Sequence, residues 1–220
     1  MYLHNTLILL GVLIPSILFY LATARLEPSI SNLTSLVFII VSSAAGILAS
    51  TYLGEFSSWH IGFVSSFCIA FLIILFKSIN AINVLNILSP LVCIGYAIVR
   101  VGCFVAGDGS YGVATSLPWG MSYPNGSVPV TLTVHPTSLY EILTFGPISV
   151  LFFIRLVFFE KDLSCFSLLC ITLAPIHFII VSLRLRTVVS FGLNAPQIID
   201  IFFFTLGLLL IYSTSSKSPN

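Results

Sequence analysis

Charge is what this sequence has least of. Only 7% of its 220 residues are Asp, Glu, Lys or Arg, where a soluble domain carries about a quarter. The apolar share is 58% and the mean hydropathy +1.13. That scarcity excludes a water-soluble fold, because too little polar surface remains to cover the apolar area. The bilayer is the solvent. A surplus of either sign is also missing. The formal net charge is +1, which gives no ground for a nucleic-acid partner. Patterned cysteines are missing too. Cys68, Cys93, Cys103, Cys165 and Cys170 lie in apolar stretches with no C-x-x-C. They indicate neither a disulfide framework nor a zinc set and read as small buried hydrophobes. No metal and no cofactor is expected. Nor is there an inverted repeat, or a file of ionisable residues through the midplane, which speaks against a channel or transporter.

What is present is a series of long apolar runs, and a spanning helix needs about 20 such residues. Candidates run from about Asn5 to Ala24, Leu33 to Leu53, His60 to Phe76, Asn83 to Val105, Pro136 to Phe159, Ser164 to Leu185 and Pro196 to Tyr212. The first lacks a basic n-region, and six more apolar segments follow Ala22-Thr23-Ala24, so it is expected to be retained rather than cleaved. Unbroken apolar runs favour helices over a barrel. The expected fold class is an all-α integral membrane protein of about seven transmembrane helices. It forms a single multi-pass domain over residues 1–220, with a small outward-facing insert at about 106–134 rich in Gly, Ser, Pro and Asn. Connections after odd-numbered spans hold Arg25, Lys77, Arg155, Lys161 and Lys217, against Arg100, Arg184 and Arg186 on the other side. The positive-inside rule then expects the N-terminus outside and the C-terminus in the cytoplasm.

Charged groups inside spans are costly and usually face protein or water. Arg100 stands near the end of the fourth span. Its ordinary reading is snorkelling to the interface. The functional one is an anion site, because a planar guanidinium fits phosphate bidentately. Gly102, Gly107, Gly109 and Gly112 follow and would let backbone N–H groups approach the same anion. His60, after Trp59, is either an interfacial marker or a general base. His135, Thr137, Ser138 and Glu141 open the fifth span, where a helix cap and a favourable dipole account for them. His177 and Arg184 share a face of the sixth span, and Asp200 and Gln197 share a face of the seventh and are candidate partners. Apart from Asp200 and Glu141, these groups converge at the outer ends of their helices. The expected result is a polar, basic site fit for a phospholipid headgroup as substrate, ligand or annular lipid.

Several motifs then resemble the prolipoprotein diacylglyceryl transferases. Arg100-Val101-Gly102-Cys103-Phe104, leading to Asp108 and Gly112, is similar to that family's Arg-x-Gly-Asn-Phe run ending in an acid and a glycine. Leu117-Pro118-Trp119-Gly120 is similar to its Leu-Pro-Trp-Gly, and His135-Pro136-Thr137-Ser138-Leu139-Tyr140-Glu141 to its His-Pro-Ser-Gln-Leu-Tyr-Glu. Trp59-His60-Ile61-Gly62 and the stretch from His177 to Gln197 resemble two further blocks, and the likeness covers about residues 45–210. The resemblance implies a bacterial inner-membrane transferase of lipoprotein biosynthesis. It would move a diacylglyceryl group from phosphatidylglycerol or a related phospholipid to the thiol of a lipobox peptide in a preprolipoprotein. It implies His60 and Arg100 as catalytic residues. Arg100, Asp108, Gly112, His135, Tyr140, Glu141, His177 and Arg184 are implied to bind the phospholipid. Five departures stand out: Cys103 for the motif's asparagine, His177 for a second arginine, Val181 for a glutamate, a first span without the family's Trp-Tyr-Gly, and one extra residue between Asp108 and Gly112. They leave a second expectation open, a non-catalytic paralogue that binds a phospholipid or a partner.

Overall fold

The computed structural model describes residues 2–26, 81–158, 164–184, 188 and 190–215. Five helices account for most of them: α1 (Tyr2–Leu26), α2 (Ala81–Ala106), α3 (Thr137–Phe158), α4 (Cys165–Ser182) and α5 (Ala195–Ser215). A two-stranded antiparallel sheet, β1 (Met121–Tyr123) and β2 (Val130–Val134), lies between α2 and α3. All five helices are long and apolar enough to cross a membrane. The second and third spans expected from the sequence, at 33–53 and 60–76, lie outside the described residues. The other five expected spans each match a helix, with ends shifted by up to three residues. The polar insert expected at about 106–134 carries the hairpin, pairing Met121 with Val134 and Tyr123 with Val130.

α2 is the axis of the bundle, packing against α1, α3 and α4, while α4 packs against α3 and α5. Burial follows: 56% of the apolar window is buried in α2 and in α4, against 24% in α1 and 22% in α3. The outer helices turn their remaining apolar side chains outward, as a lipid environment permits. α1 and α2 run antiparallel in close contact. A Cβ on Gly95 would strike the Gly11 carbonyl, and one on Gly11 would stand 2.8 Å from the Gly95 carbonyl. Such glycine contacts let two membrane helices approach backbone to backbone.

At one end the helices meet through Phe19, Ala22, Val84, Ile87, Leu88, Leu91, Leu156 and Cys165. Asn86 pins α4 to α2 there. Its Oδ1 accepts from Ser164 Oγ at 2.7 Å and from Phe166 N at 3.0 Å, and Ser164 Oγ caps α4 by accepting from Ser167 N. In the middle, Tyr96, Phe145, Phe166, Leu169 and Leu173 close the core. At the far end the packing turns polar.

Candidate functional site

Glu141 is the hub of that polar end. It lies one turn into α3 and has no solvent exposure. Its Oε2 accepts from Arg100 Nε on α2 and, at 2.7 Å, from an Nη of Arg184 just past α4. Its Oε1 accepts from Tyr96 Oη at 2.6 Å. Tyr96 and Arg100 are four apart on α2, so helical spacing puts both on the face that meets α3. The guanidinium of Arg100 lies 5.8 Å from the Tyr96 ring centroid, a cation–π distance. Arg100 is 4% exposed, so the snorkelling reading fails. Its charge is held by a buried carboxylate instead.

The hydroxyls read as a helix cap go to the arginines. Arg100 Nη2 donates to Ser138 Oγ at 3.1 Å, and Arg184 Nε donates to Thr137 Oγ1 at 2.9 Å. Thr137 Oγ1 in turn donates to the Ser110 carbonyl. One buried guanidinium nitrogen is left over. Arg184 Nη1 is buried and has no hydrogen-bond partner among the described residues.

His177 closes the cluster from α4. Its Nδ1 lies 2.8 Å from Asp200 Oδ2 on α5, and its Nε2 lies 3.5 Å from Glu141 Oε1. Asp200 is therefore the partner of His177, as the shared helix faces anticipate. Gln197 is not. It exchanges backbone-to-side-chain bonds with Asn194 at 3.0 Å each way and donates to Ser182 Oγ, a reciprocal cap that starts α5. Two arginines face two carboxylates here, so by formal charge the cluster is balanced before His177 is counted. The site is polar, as expected, but less basic than the sequence spacing suggests.

The other predicted residues lie around this hub. Asp108 follows α2, and its Oδ1 accepts from Ser110 N at 3.0 Å and from Ser110 Oγ. Ser110 Oγ is also 2.8 Å from Ser138 Oγ, which links Asp108 to Arg100 through two hydroxyls. Burial opposes the Asp108 charge, but the bonds from Ser110 and Cys103 and the nearby Arg100 outweigh it and hold its pKa below the ordinary carboxylate value. Gly112 acts in packing. Its N–H donates to the His135 carbonyl at 2.8 Å, and a Cβ there would meet the Leu183 carbonyl at 2.6 Å. His135 and Tyr140 form a separate group: Tyr140 Oη lies 3.2 Å from His135 Nδ1 and accepts from Trp119 Nε1 at 3.0 Å. Neither side chain has a hydrogen bond to the Glu141 cluster among the contacts described. His60 lies outside the described residues. Sequence reading missed Tyr96 and the roles of Ser110, Thr137 and Ser138. The signal for Tyr96 was its position one turn before Arg100.

A bundle of bilayer-length helices that closes two arginines over one buried glutamate defines a helical membrane protein with a polar site at one end. The profile of the prolipoprotein diacylglyceryl transferase family matches residues 7–213, and the chain belongs to that family. It is similar to proteins named phosphatidylglycerol–prolipoprotein diacylglyceryl transferase. The one from Finegoldia magna is 29% identical over 139 residues, covering 61% of this chain and 52% of the relative. The one from Synechocystis sp. is 31% identical over 153 residues, covering 63% and 53%. The one from Coxiella burnetii is 40% identical over 81 residues, covering 37% and 28%. The chain thus spans about half the length of the first two relatives.

Proposed function

We propose that the chain transfers a diacylglyceryl group from phosphatidylglycerol, or a related phospholipid, to the thiol of a lipobox cysteine in a preprolipoprotein. One observation carries the reading. Arg100 and Arg184 share one oxygen of buried Glu141, while Arg184 Nη1 is buried without a partner among the described residues. A buried donor without an acceptor is costly, and a phosphate oxygen is the acceptor a guanidinium fork suits best. In the proposed step the thiolate sulfur bonds to the glyceryl carbon that bears the phosphate ester. The carbon–oxygen bond breaks, and glycerol phosphate leaves with the electron pair. Thiolate is the nucleophile, and His60, on the family resemblance, takes the thiol proton. Arg100 and Arg184 bear the negative charge that grows on the departing phosphate. The substrate names printed for the relatives support the donor and acceptor.

The same reading places the chain in the bacterial inner membrane as a multi-pass protein, N-terminus outside and C-terminus in the cytoplasm. Arg25 and Arg155 fall in the last turns of α1 and α3, at the end away from Glu141. That distribution supports a cytoplasmic position for their end and an outward one for the hairpin and the Glu141 site. A second reading, a paralogue that holds a phospholipid headgroup without turnover, draws on His177. Where the family motif has an arginine, this chain has a histidine tied to Asp200.

Intact mass of a lipobox peptide after incubation with the purified protein in phosphatidylglycerol vesicles separates the two. A gain of one diacylglyceryl unit on the cysteine, lost with Arg100→Ala, is expected. No gain, from folded protein under conditions where a family enzyme is active, would overturn the transferase and leave the binder.

A further inference from the structure

A second polar cluster hangs from α2, on the side that meets α1. His4 on α1, Cys103 on α2 and Asp108 just beyond α2 bring one ligand atom each to within 4.8 Å of one another. We propose that this trio is a divalent transition-metal site, with zinc as the metal it suits best.

The packing delivers the three groups together. The glycine contact of Gly11 and Gly95 draws α1 onto α2, and Gly102 continues it, since a Cβ there would stand 3.2 Å from His4 Nδ1. His4 thereby reaches the turn that carries Cys103. A separate observation points to a missing ligand: His4 Nδ1 is buried and has no hydrogen-bond partner among the described residues. A buried ring nitrogen in that state is costly, and a metal ion would satisfy it. Around a tetrahedral zinc the donor atoms stand about 3.3–3.8 Å apart, given bonds of roughly 2.0–2.3 Å, so small side-chain rotations close the trio. Asp108 is already oriented, with its Oδ1 held by Ser110 N at 3.0 Å and by Ser110 Oγ. Such outer hydrogen bonds fix a metal ligand in place.

The donor set selects the metal. Imidazole, thiolate and carboxylate together suit zinc and cobalt rather than magnesium or calcium, which prefer oxygen alone. On binding, the thiol of Cys103 gives up its proton to solvent, and its sulfur bonds the ion. One dication against one thiolate and one carboxylate is a neutral site, which favours it at a membrane edge. Three protein ligands leave a fourth position for water or a ligand oxygen. The site stands independently of the transferase reading.

Cobalt titration of the full-length, metal-stripped protein in detergent tests it. One Co²⁺ per chain is expected, with thiolate-to-cobalt charge-transfer absorption and the intense visible bands of four-coordinate cobalt, both bleached by Zn²⁺. Cys103→Ser and Cys103→Asn should abolish the charge-transfer band. His4→Gln should weaken binding tenfold or more, and Leu91→Ala, at the other end of the bundle, should leave the spectrum unchanged. Absence of the band at saturating Co²⁺ in folded wild-type protein would overturn the proposal. So would a band that survives both Cys103 variants, or unchanged affinity in His4→Gln.

Discussion

At the end of the bundle that carries Arg25 and Arg155, the helices meet through Phe19, Val84, Leu88, Leu91 and Leu156, and a neutral amide, Asn86, ties α4 to α2. At the other end, the same helices send Arg100, Glu141, His177 and Arg184 toward one point, joined there by Asp200. The first end is a scaffold whose parts are interchangeable within limits of volume. The second is a network in which each charge is buried because another meets it. Removing an apolar group from the first leaves a void. Removing one charge from the second leaves others in low dielectric without their counterparts. The two ends should therefore answer substitution differently, one in stability alone and the other in stability and chemistry together.

Glu141→Ala should show the largest effect. It strands two buried guanidiniums and should cost about 3–5 kcal/mol, read as a fall in the thermal midpoint of the purified protein. Arg100→Ala should follow, lowering diacylglyceryl transfer per folded molecule by roughly 10²–10³-fold. Arg100→Lys should not restore the rate, because an ammonium lacks the planar fork. At the apolar end, Leu91→Ala should cost about 2 kcal/mol, the low end for a buried leucine. Lipid tails are as apolar as the core, so packing alone is lost. Transfer per folded molecule should not change, and a matching loss of rate would blur the distinction between the ends. Asn86→Ala should be smallest, about 1 kcal/mol, seen in unfolding and not in turnover.

The apolar scaffold was legible in the sequence because a spanning helix announces itself by length and composition. Each of the five described helices coincides with an expected run, and the misses are a residue or a few at the ends. The hairpin was harder. Val130-Thr131-Leu132-Thr133-Val134 alternates as a strand should, but the surrounding Gly, Ser, Pro and Asn dominate the composition. Arg100, Glu141, His177 and Arg184 were legible as charges that a membrane span must justify. Their common anchor on one carboxylate was not, since Glu141 had an adequate explanation as a helix-start acid. Tyr96 did not stand out from the apolar run that holds it. Gly112 looked like an anion-facing glycine, yet its missing side chain makes room for the Leu183 carbonyl. His4 carried no signal at all. It precedes the first apolar run, and only helix packing brings it beside Cys103, whereas a metal motif is recognised by short spacing along the chain.

The proposed role of Arg100 and Arg184, held by Glu141, is to bind the phosphate of the departing headgroup. It is tested most directly by the affinity of the purified protein for glycerol phosphate, measured by isothermal titration for wild type, Arg184→Lys and Leu91→Ala. Binding should weaken at least tenfold in Arg184→Lys, which keeps a positive charge but loses the Nη1 donor, and should be unchanged in Leu91→Ala. Equal affinity in wild type and Arg184→Lys would contradict it.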